Sequence, residues 1–130
     1  MANYTQQRMM VKQWVIKKVR GNITASQVAV LTGNASGGKQ RIVDSILINN
    51  TTAGGLTWTG RYLPSGESIA SADHDFVTAE TLGANTRVAV QTTGSQGGMS
   101  GVLTLDPGDT LYLLGSATGM NYIINYREEI

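Results

Sequence analysis

The 130-residue sequence predicts an all-β domain: an antiparallel β-sandwich or jelly roll of seven to eight strands with an N-terminal arm. Two observations carry this prediction. Short runs rich in β-branched and aromatic residues recur along the chain, and glycine or asparagine interrupts them at close intervals. There are 16 glycines but only 2 prolines, so the glycines serve turns between strands and do not form a disordered Pro/Gly tract.

The N-terminal part is predicted to be a basic arm or first strand over residues 1–20, followed by a β-sandwich over residues 21–130. Residues 9–19 fit a helical stripe as well as a strand alternation. Their valine, isoleucine and tryptophan content favours a strand, because branched and aromatic side chains pack well on a pleated surface.

Further strands are predicted wherever apolar or β-branched runs lie between turn residues. In chain order these runs are residues 22–31, 41–48, 56–63, 87–92, 102–105, 110–114 and 122–126. Residues 67–82 are mixed, and a short helical turn is expected near residues 71–75. After the last strand, the acidic pair Glu128 and Glu129 is expected to be exposed.

The segment 102–114 contains two apolar runs on either side of Asp106-Pro107-Gly108-Asp109. Proline presets the backbone for the second position of a tight turn, and glycine supplies a positive φ directly after it. This pattern predicts that the two runs pair with each other as adjacent antiparallel strands.

Alternation along residues 41–48 places Ile42, Ile46 and Ile48 on one face of a strand together with Asp44. A carboxylate on a buried face is costly unless it is paired. We therefore expect Asp44 to lie at the edge of the strand or to pair with a basic neighbour.

The composition excludes several classes of protein. Cysteine is absent, which rules out disulfides and thiolate metal sites. No apolar run reaches the ~18 residues of a membrane span, and no signal peptide is recognisable, so a cytoplasmic place of assembly is expected. Charged residues make up 15%, against about 25% in an average domain, and such a surface suits contact with other protein.

Charge is distributed unevenly along the chain. Residues 1–43 contain seven cations and no carboxylate, whereas all nine acidic residues follow Val43. Halves of opposite sign can steer association with a charged partner, including another copy of the chain, although solvated strand faces of different charge explain the pattern equally well.

The loop between Gly33 and Lys39 matches the spacing G-x-x-x-x-G-K of a phosphate-binding loop. The next residue of such a loop carries a hydroxyl for magnesium, but here it is Gln40. The following segment should also be a helix, yet residues 41–48 are β-branched. The pattern therefore favours a flexible loop between strands over a nucleotide site.

Asp73-His74-Asp75 holds the only histidine and could contribute ligands to a divalent cation. Adjacent strand residues point to opposite faces, and no second cluster completes a coordination shell, so a solvated acidic loop is expected instead. With one histidine, a catalytic triad is also unsupported. The sequence thus predicts a protein that is not an enzyme and needs no metal or cofactor.

The aromatic residues suggest two further kinds of binding site. Trp58 and Tyr62 could form a platform for a sugar or a base, but aromatics on a central strand are more often core residues. Tyr4 and Trp14 lie among the N-terminal cations and could stack on nucleic acid, yet a subunit-contacting arm fits at least as well.

Four segments resemble the small β-sandwich structural proteins of tailed bacteriophages, of the head decoration or cement type. They are residues 42–52, 59–66, 105–112 and 122–128, with the sequences IVDSILINNTT, TGRYLPSG, LDPGDTLY and YIINYRE. The resemblance implies a trimeric virion protein without catalytic residues. It would bind the major capsid protein and its own copies, with no membrane or nucleic-acid partner.

We therefore expect a late virion protein, assembled in the host cytoplasm, that binds across capsid subunits and stabilises the head. A phage tail or receptor-binding module that recognises a glycan is the alternative. The arm would supply apolar and aromatic anchors beside cations that meet capsid acids. These partner-binding candidates are Tyr4, Arg8, Met9, Met10, Lys12, Trp14, Lys17, Lys18 and Arg20.

Overall fold

The computed structural model describes residues 13–33, 38–67, 75–91 and 103–130, and this part of the chain contains nine β-strands and no helix. The prediction of an all-β fold is confirmed. In chain order the strands are β1 (Trp14–Ile23), β2 (Val28–Thr32), β3 (Arg41–Asn50), β4 (Leu56–Leu63), β5 (Asp75–Leu82), β6 (Arg87–Gln91), β7 (Leu103–Leu105), β8 (Thr110–Gly115) and β9 (Met120–Glu129).

The strands form two antiparallel sheets. Sheet I has the order β1-β9-β3-β6, and β7 pairs with β3 beyond the end of β6. Sheet II has the order β2-β8-β4-β5. The described chain changes sheets repeatedly, so neighbours in sequence are seldom neighbours in a sheet, and the N-terminal and C-terminal strands β1 and β9 lie side by side.

The inner faces of both sheets enclose one apolar core, as a β-sandwich requires. Alternate residues are buried along β9 and along β3 from Ile46 to Asn50, which is the period expected when one face of a strand packs inward. Sheet I contributes Ile23, Val43, Ile46, Ile48, Leu105, Met120, Tyr122, Ile124 and Tyr126, and sheet II contributes Val30, Leu31, Trp58, Leu82, Leu111 and Leu113.

A β-bulge in β3 changes which residues of this strand face the core. The pairing with β9 shifts between Val43 and Ser45, so that Asp44 is the extra residue. Val43 is therefore buried in place of Ile42, and Asp44 leaves the core side. Its carboxylate pairs with the guanidinium of Arg127 at 2.9 Å, which confirms the expected basic neighbour.

The segment around Asp106 to Asp109 forms the predicted turn but not the predicted hairpin. The amide of Asp109 donates to the Asp106 carbonyl at 2.9 Å, and Gly108 has φ +90°, as a type II turn requires. The flanking strands do not pair with each other: β7 joins β3 in sheet I, and β8 lies between β2 and β4 in sheet II. Type II turns splay their flanking strands, so this turn suits a crossing between sheets.

The buried carboxylate of Asp109 ties this crossing to its surroundings. It accepts hydrogen bonds from the amides of Ser65 and Asp106, at 2.8 and 2.9 Å, and from the Tyr62 hydroxyl. The Asp109 carbonyl also accepts from the Gly33 amide at 2.8 Å. Three loops thereby meet at one end of the sandwich, which we call the Asp109 corner.

The hydrogen bonds set the charge state of this corner. Burial acts to raise the pKa of Asp109, but the bonds from Tyr62, Ser65 and Asp106 outweigh it and hold that pKa below its usual range. Burial, together with the bond to Asp109, raises the pKa of the Tyr62 phenol above its ordinary value. The corner therefore holds an ionised carboxylate beside a neutral phenol at neutral pH.

Two further expectations change, and a third stays untested. The mixed segment 67–82 contains a full strand, β5, which begins at Asp75; the expected helical turn falls largely on residues outside the described ranges. The run 22–31 is divided between the end of β1 and β2. Strand β1 continues through residue 20, and the boundary drawn there between arm and sandwich stays a prediction.

Gly33 tests how tightly the Asp109 corner is packed. A Cβ at Gly33 would lie 2.0 Å from the Asp106 carbonyl oxygen, which belongs to the backbone of the turn and cannot move aside cheaply. We expect Gly33→Ala to lower the free energy of unfolding by about 2 kcal/mol, measured by urea denaturation. Gly54→Ala is the matched control, because nothing lies within 4 Å of that Cβ; equal effects would contradict the described packing.

Asp109 also predicts an acid dependence of stability. Because its pKa is lower in the folded state, its contribution is fully present above the unfolded pKa of about 3.9 and declines as the pH falls through the folded value. Asp109→Asn should cost about 2 kcal/mol at pH 7, and this difference should shrink in acid. Denaturation from pH 7 to pH 2 measures it, with the exposed carboxylate of Glu80→Gln as the control. A difference that does not change with pH would contradict the assigned role.

Candidate interaction surface

The sites of small-molecule chemistry considered from the sequence gain no support in the described part of the chain. No three histidine, cysteine or acidic side chains come together as metal ligands among the described residues. Residues 34–37, Asp73 and His74 lie outside those ranges. The segment after the glycine loop is strand β3 and not the helix that a phosphate-binding loop needs, and Asp75 pairs with Arg61 at 2.5 Å.

The aromatic pair on β4 belongs to the interior. Trp58 is 1% exposed and sits among core residues, and its indole N–H has no acceptor within the described residues. Tyr62 packs against the same core while its hydroxyl donates to Asp109. The interpretation of Trp58 as a core residue is confirmed, and the pair does not form an exposed platform.

The partner-binding candidates fall into two groups. Tyr4, Arg8, Met9, Met10 and Lys12 lie outside the described residues. The other four, Trp14, Lys17, Lys18 and Arg20, all lie on β1, which the structure places at the end of sheet I.

Strand β1 separates its own cations between two faces. Val19 packs against the core and Ile23 is buried, so alternation places Lys17 on the same side as these two residues. Lys18 and Arg20 lie on the opposite side, which is the outer face of sheet I. The sequence alone does not distinguish these cations from one another, but in the structure they lie on different faces of β1.

Lys17 belongs to an ion-pair cluster at the end of the core. Its ammonium lies 2.7 Å from Glu128, and the guanidinium of Arg41 lies 2.6 Å from the same carboxylate. Lys17 and Arg41 hold the pKa of Glu128 below its usual range, and the Glu128 carboxylate in turn raises the pKa of Lys17. The acidic end was expected to be exposed, but the side chain of Glu128 is only 13% exposed, so that expectation is wrong for this residue.

Part of the charge asymmetry in the sequence is satisfied within the molecule, because Lys17 and Arg41 both pair with Glu128. The basic strand β1 and the acidic end of β9 pair along ten residues, from Trp14 opposite Glu129 to Ile23 opposite Met120. The pair between Arg127 and Asp44 adds a second internal contact across sheet I. The cations that remain for a partner are those that these pairs do not use.

Lys18 and Arg20 are two such cations. Both side chains are exposed, and neither forms an ion pair with any residue in the described ranges. Among the described strands, β1 pairs only with β9, so its other edge presents backbone amides and carbonyls that no described strand covers.

Exposed apolar side chains lie near the start of the same strand. Among the described residues the exposed large hydrophobic side chains are Val15 at 39%, Ile16 at 79% and Ile130 at 64%. Ile130 lies beside the start of β1, because its amide donates to the Gln13 carbonyl at 2.9 Å. We call the open edge of β1, with Val15, Ile16, Lys18 and Arg20, the β1 edge surface.

Sequence reasoning found the cations of this surface but missed its apolar part. In the sequence, Val15 and Ile16 favour a strand. Their exposure follows from the position of β1 at the end of sheet I, and this position depends on pairings between residues about a hundred positions apart. The local sequence pattern does not indicate that these two side chains are exposed.

Comparison with known proteins finds similar structures but no related sequence family. No family model matches the chain, and no curated protein matches it. A chain of the infectious bursal disease virus particle superposes with a TM-score of 0.50 over 90% of this chain, with 10% sequence identity. This chain spans only 31% of that one.

Two other solved structures are similar over most of this chain. The VP2 subviral particle of the same virus matches with a TM-score of 0.45, 9% identity and coverage of 91% of this chain and 33% of the other. Endospore appendages of Bacillus, described as disulfide-linked pili, match with a TM-score of 0.41, 19% identity and coverage of 92% and 91%. At such identities the likeness concerns the fold alone, and it is the match at 0.50 that supports this likeness.

A search for membrane-crossing helices gives a negative result: within the described ranges, no helix has the length and apolar character to cross a bilayer.

Lys17 and Lys18 provide a direct test of the two faces of β1. Lys17→Glu places a carboxylate against Glu128 and should lower the melting temperature by a few degrees, whereas Lys18→Glu should leave it nearly unchanged. Differential scanning calorimetry at low salt measures both variants. Equal shifts would contradict the assignment of the two lysines to different faces.

Proposed function

We propose that the chain is a structural protein of a virus particle, of the capsid decoration or cement type found in tailed bacteriophages. The observation that carries the proposal is the β1 edge surface, where exposed apolar side chains and cations without an ion pair in the described ranges border an edge that no described strand covers. The fold is compatible with it, since a chain of an icosahedral virus particle has a similar fold over 90% of this chain.

The mechanism is mechanical. A decoration protein that contacts two capsid subunits adds interface free energy to the shell and raises the cost of expanding or rupturing it. A specific contact of this kind should bury on the order of 1,200 Å² or more. The proposed partners are the major capsid protein and further copies of this chain, arranged as a trimer, in a virion assembled in the host cytoplasm.

The arrangement of β1 supports this role for the N-terminal region. Residues 1–12 precede the strand that carries the edge surface, so an arm at these positions would leave the sandwich beside Val15, Ile16 and Ile130. Such an arm and this surface could engage one partner together, and each would add contact area to the other.

We do not carry the glycan-binding alternative forward. In the sequence, Trp58, Tyr62 and the polar loops favour that alternative, and the burial of Trp58 removes the exposed aromatic platform it needs. The proposal likewise assigns no catalytic residue.

The proposal can be tested with particles of the virus that encodes the chain, when these particles are prepared so that they lack it. Purified chain should co-sediment with these particles and raise the temperature at which they rupture. A chain without residues 1–12 should bind more weakly; this deletion is preferable to removal of residues 1–20, which would also remove most of β1.

The control is a chain with Arg87→Glu, which changes an exposed charge at the far side of sheet I. It should bind like the unaltered chain. Failure of the unaltered chain to co-sediment with the particles would contradict a decoration role, and undiminished binding without residues 1–12 would remove the arm from the mechanism.

A further inference from the structure

The β1 edge is the longest edge that the described sheets leave open. Strand β1 has ten residues, whereas the other strands at sheet ends, β2, β5, β6 and β7, have five, eight, five and three. Proteins commonly protect long edges by shortening, bulging, charging or covering them, and β1 carries the cations Lys17, Lys18 and Arg20. The pairing of β1 with β9 shows no register shift over its ten residues, so the edge is a continuous template for another strand.

The side chains along this edge specify what could pair with it. A strand added beside β1 would face Ile16, Lys18 and Arg20 on the outer side of the sheet. On the other side it would face Val15, Lys17 and Val19. Opposite charges on directly facing residues stabilise a strand pair, and like charges destabilise it.

These rules disfavour a second copy of β1 as the occupant. Two copies of this strand would bring Lys17, Lys18 and Arg20 together with the same three cations. None of the ten residues of β1 is acidic, so no register of self-pairing offers a compensating carboxylate.

We infer that the β1 edge binds an acidic extended segment of a partner protein, which adds to sheet I as a further strand. Backbone hydrogen bonds to β1 supply affinity, and carboxylates opposite Lys18 and Arg20 supply register and selectivity. The apolar residues at the start of β1 are covered by the partner at the same time. The inference rests on the proposed function only in identifying the partner as a capsid protein.

A synthetic peptide of about ten residues that alternates glutamate with valine or isoleucine serves as the probe. Fluorescence anisotropy should show saturable binding to the folded chain that weakens as the salt concentration rises. The same peptide with lysine in place of glutamate should not bind, because its cations would face those of β1. Proline in the centre of the glutamate peptide should abolish binding, because it removes a backbone donor.

Variants of the chain locate the binding site. The double variant Lys18→Glu/Arg20→Glu should weaken peptide binding by tenfold or more, while Arg87→Glu at the opposite side of sheet I should leave it unchanged. Because neither Lys18 nor Arg20 has an ion pair within the described residues, the double variant should fold normally, which its melting temperature checks.

Each of several results would overturn the inference: no binding of the glutamate peptide, equal binding of the lysine peptide, or unchanged affinity in the double variant. Sedimentation showing that the chain dimerises, with the dimer lost in the double variant, would assign the edge to a second copy instead. A failed peptide test alongside successful co-sedimentation with particles would refute strand addition and leave the decoration role standing.

Discussion

The Asp109 corner is the constraint on which the arrangement of the sheets depends. The type II turn from Asp106 to Asp109 carries the chain out of sheet I after β7 and into the middle of sheet II as β8. Strand β9 then returns to sheet I and takes the position between β3 and β1. The buried Asp109 carboxylate, with its three hydrogen-bond donors, holds this crossing in place. Because β9 lies in the interior of sheet I, β1 is left at the end of that sheet.

The same arrangement decides which charges are available to a partner. Pairing of β1 with β9 brings the basic start of the sandwich against its acidic end, and Lys17 is neutralised there by Glu128. Lys18 points to the opposite face of the same strand and meets no such partner in the described part of the chain. A one-residue step along a strand thus separates a cation that pairs within the fold from one that is exposed and has no ion pair among the described residues.

The fold class could be predicted because its signals are local. Branched residues in β3, the turn residues Asp106 to Asp109 and the core aromatic Trp58 each reveal their role within a few positions. Asp44 could also be interpreted locally, since a carboxylate in an apolar strand needs a cationic neighbour.

The remaining features depend on contacts between distant parts of the chain. The bulge that moves Val43 into the core arises from pairing with β9, and no sequence pattern within β3 indicates this bulge. The turn residues predicted a turn correctly, but whether its flanking strands pair or splay depends on the type II geometry and on the sheets that receive them. Exposure of Ile16 follows from the same long-range topology.

Cryo-electron microscopy of a particle that carries the chain tests the central claim most directly, because it shows what lies beside β1. The account predicts that the edge of β1 continues into a strand of a neighbouring protein, with carboxylates near Lys18 and Arg20. A map in which the β1 edge faces solvent while another surface of the sandwich contacts the shell would contradict it.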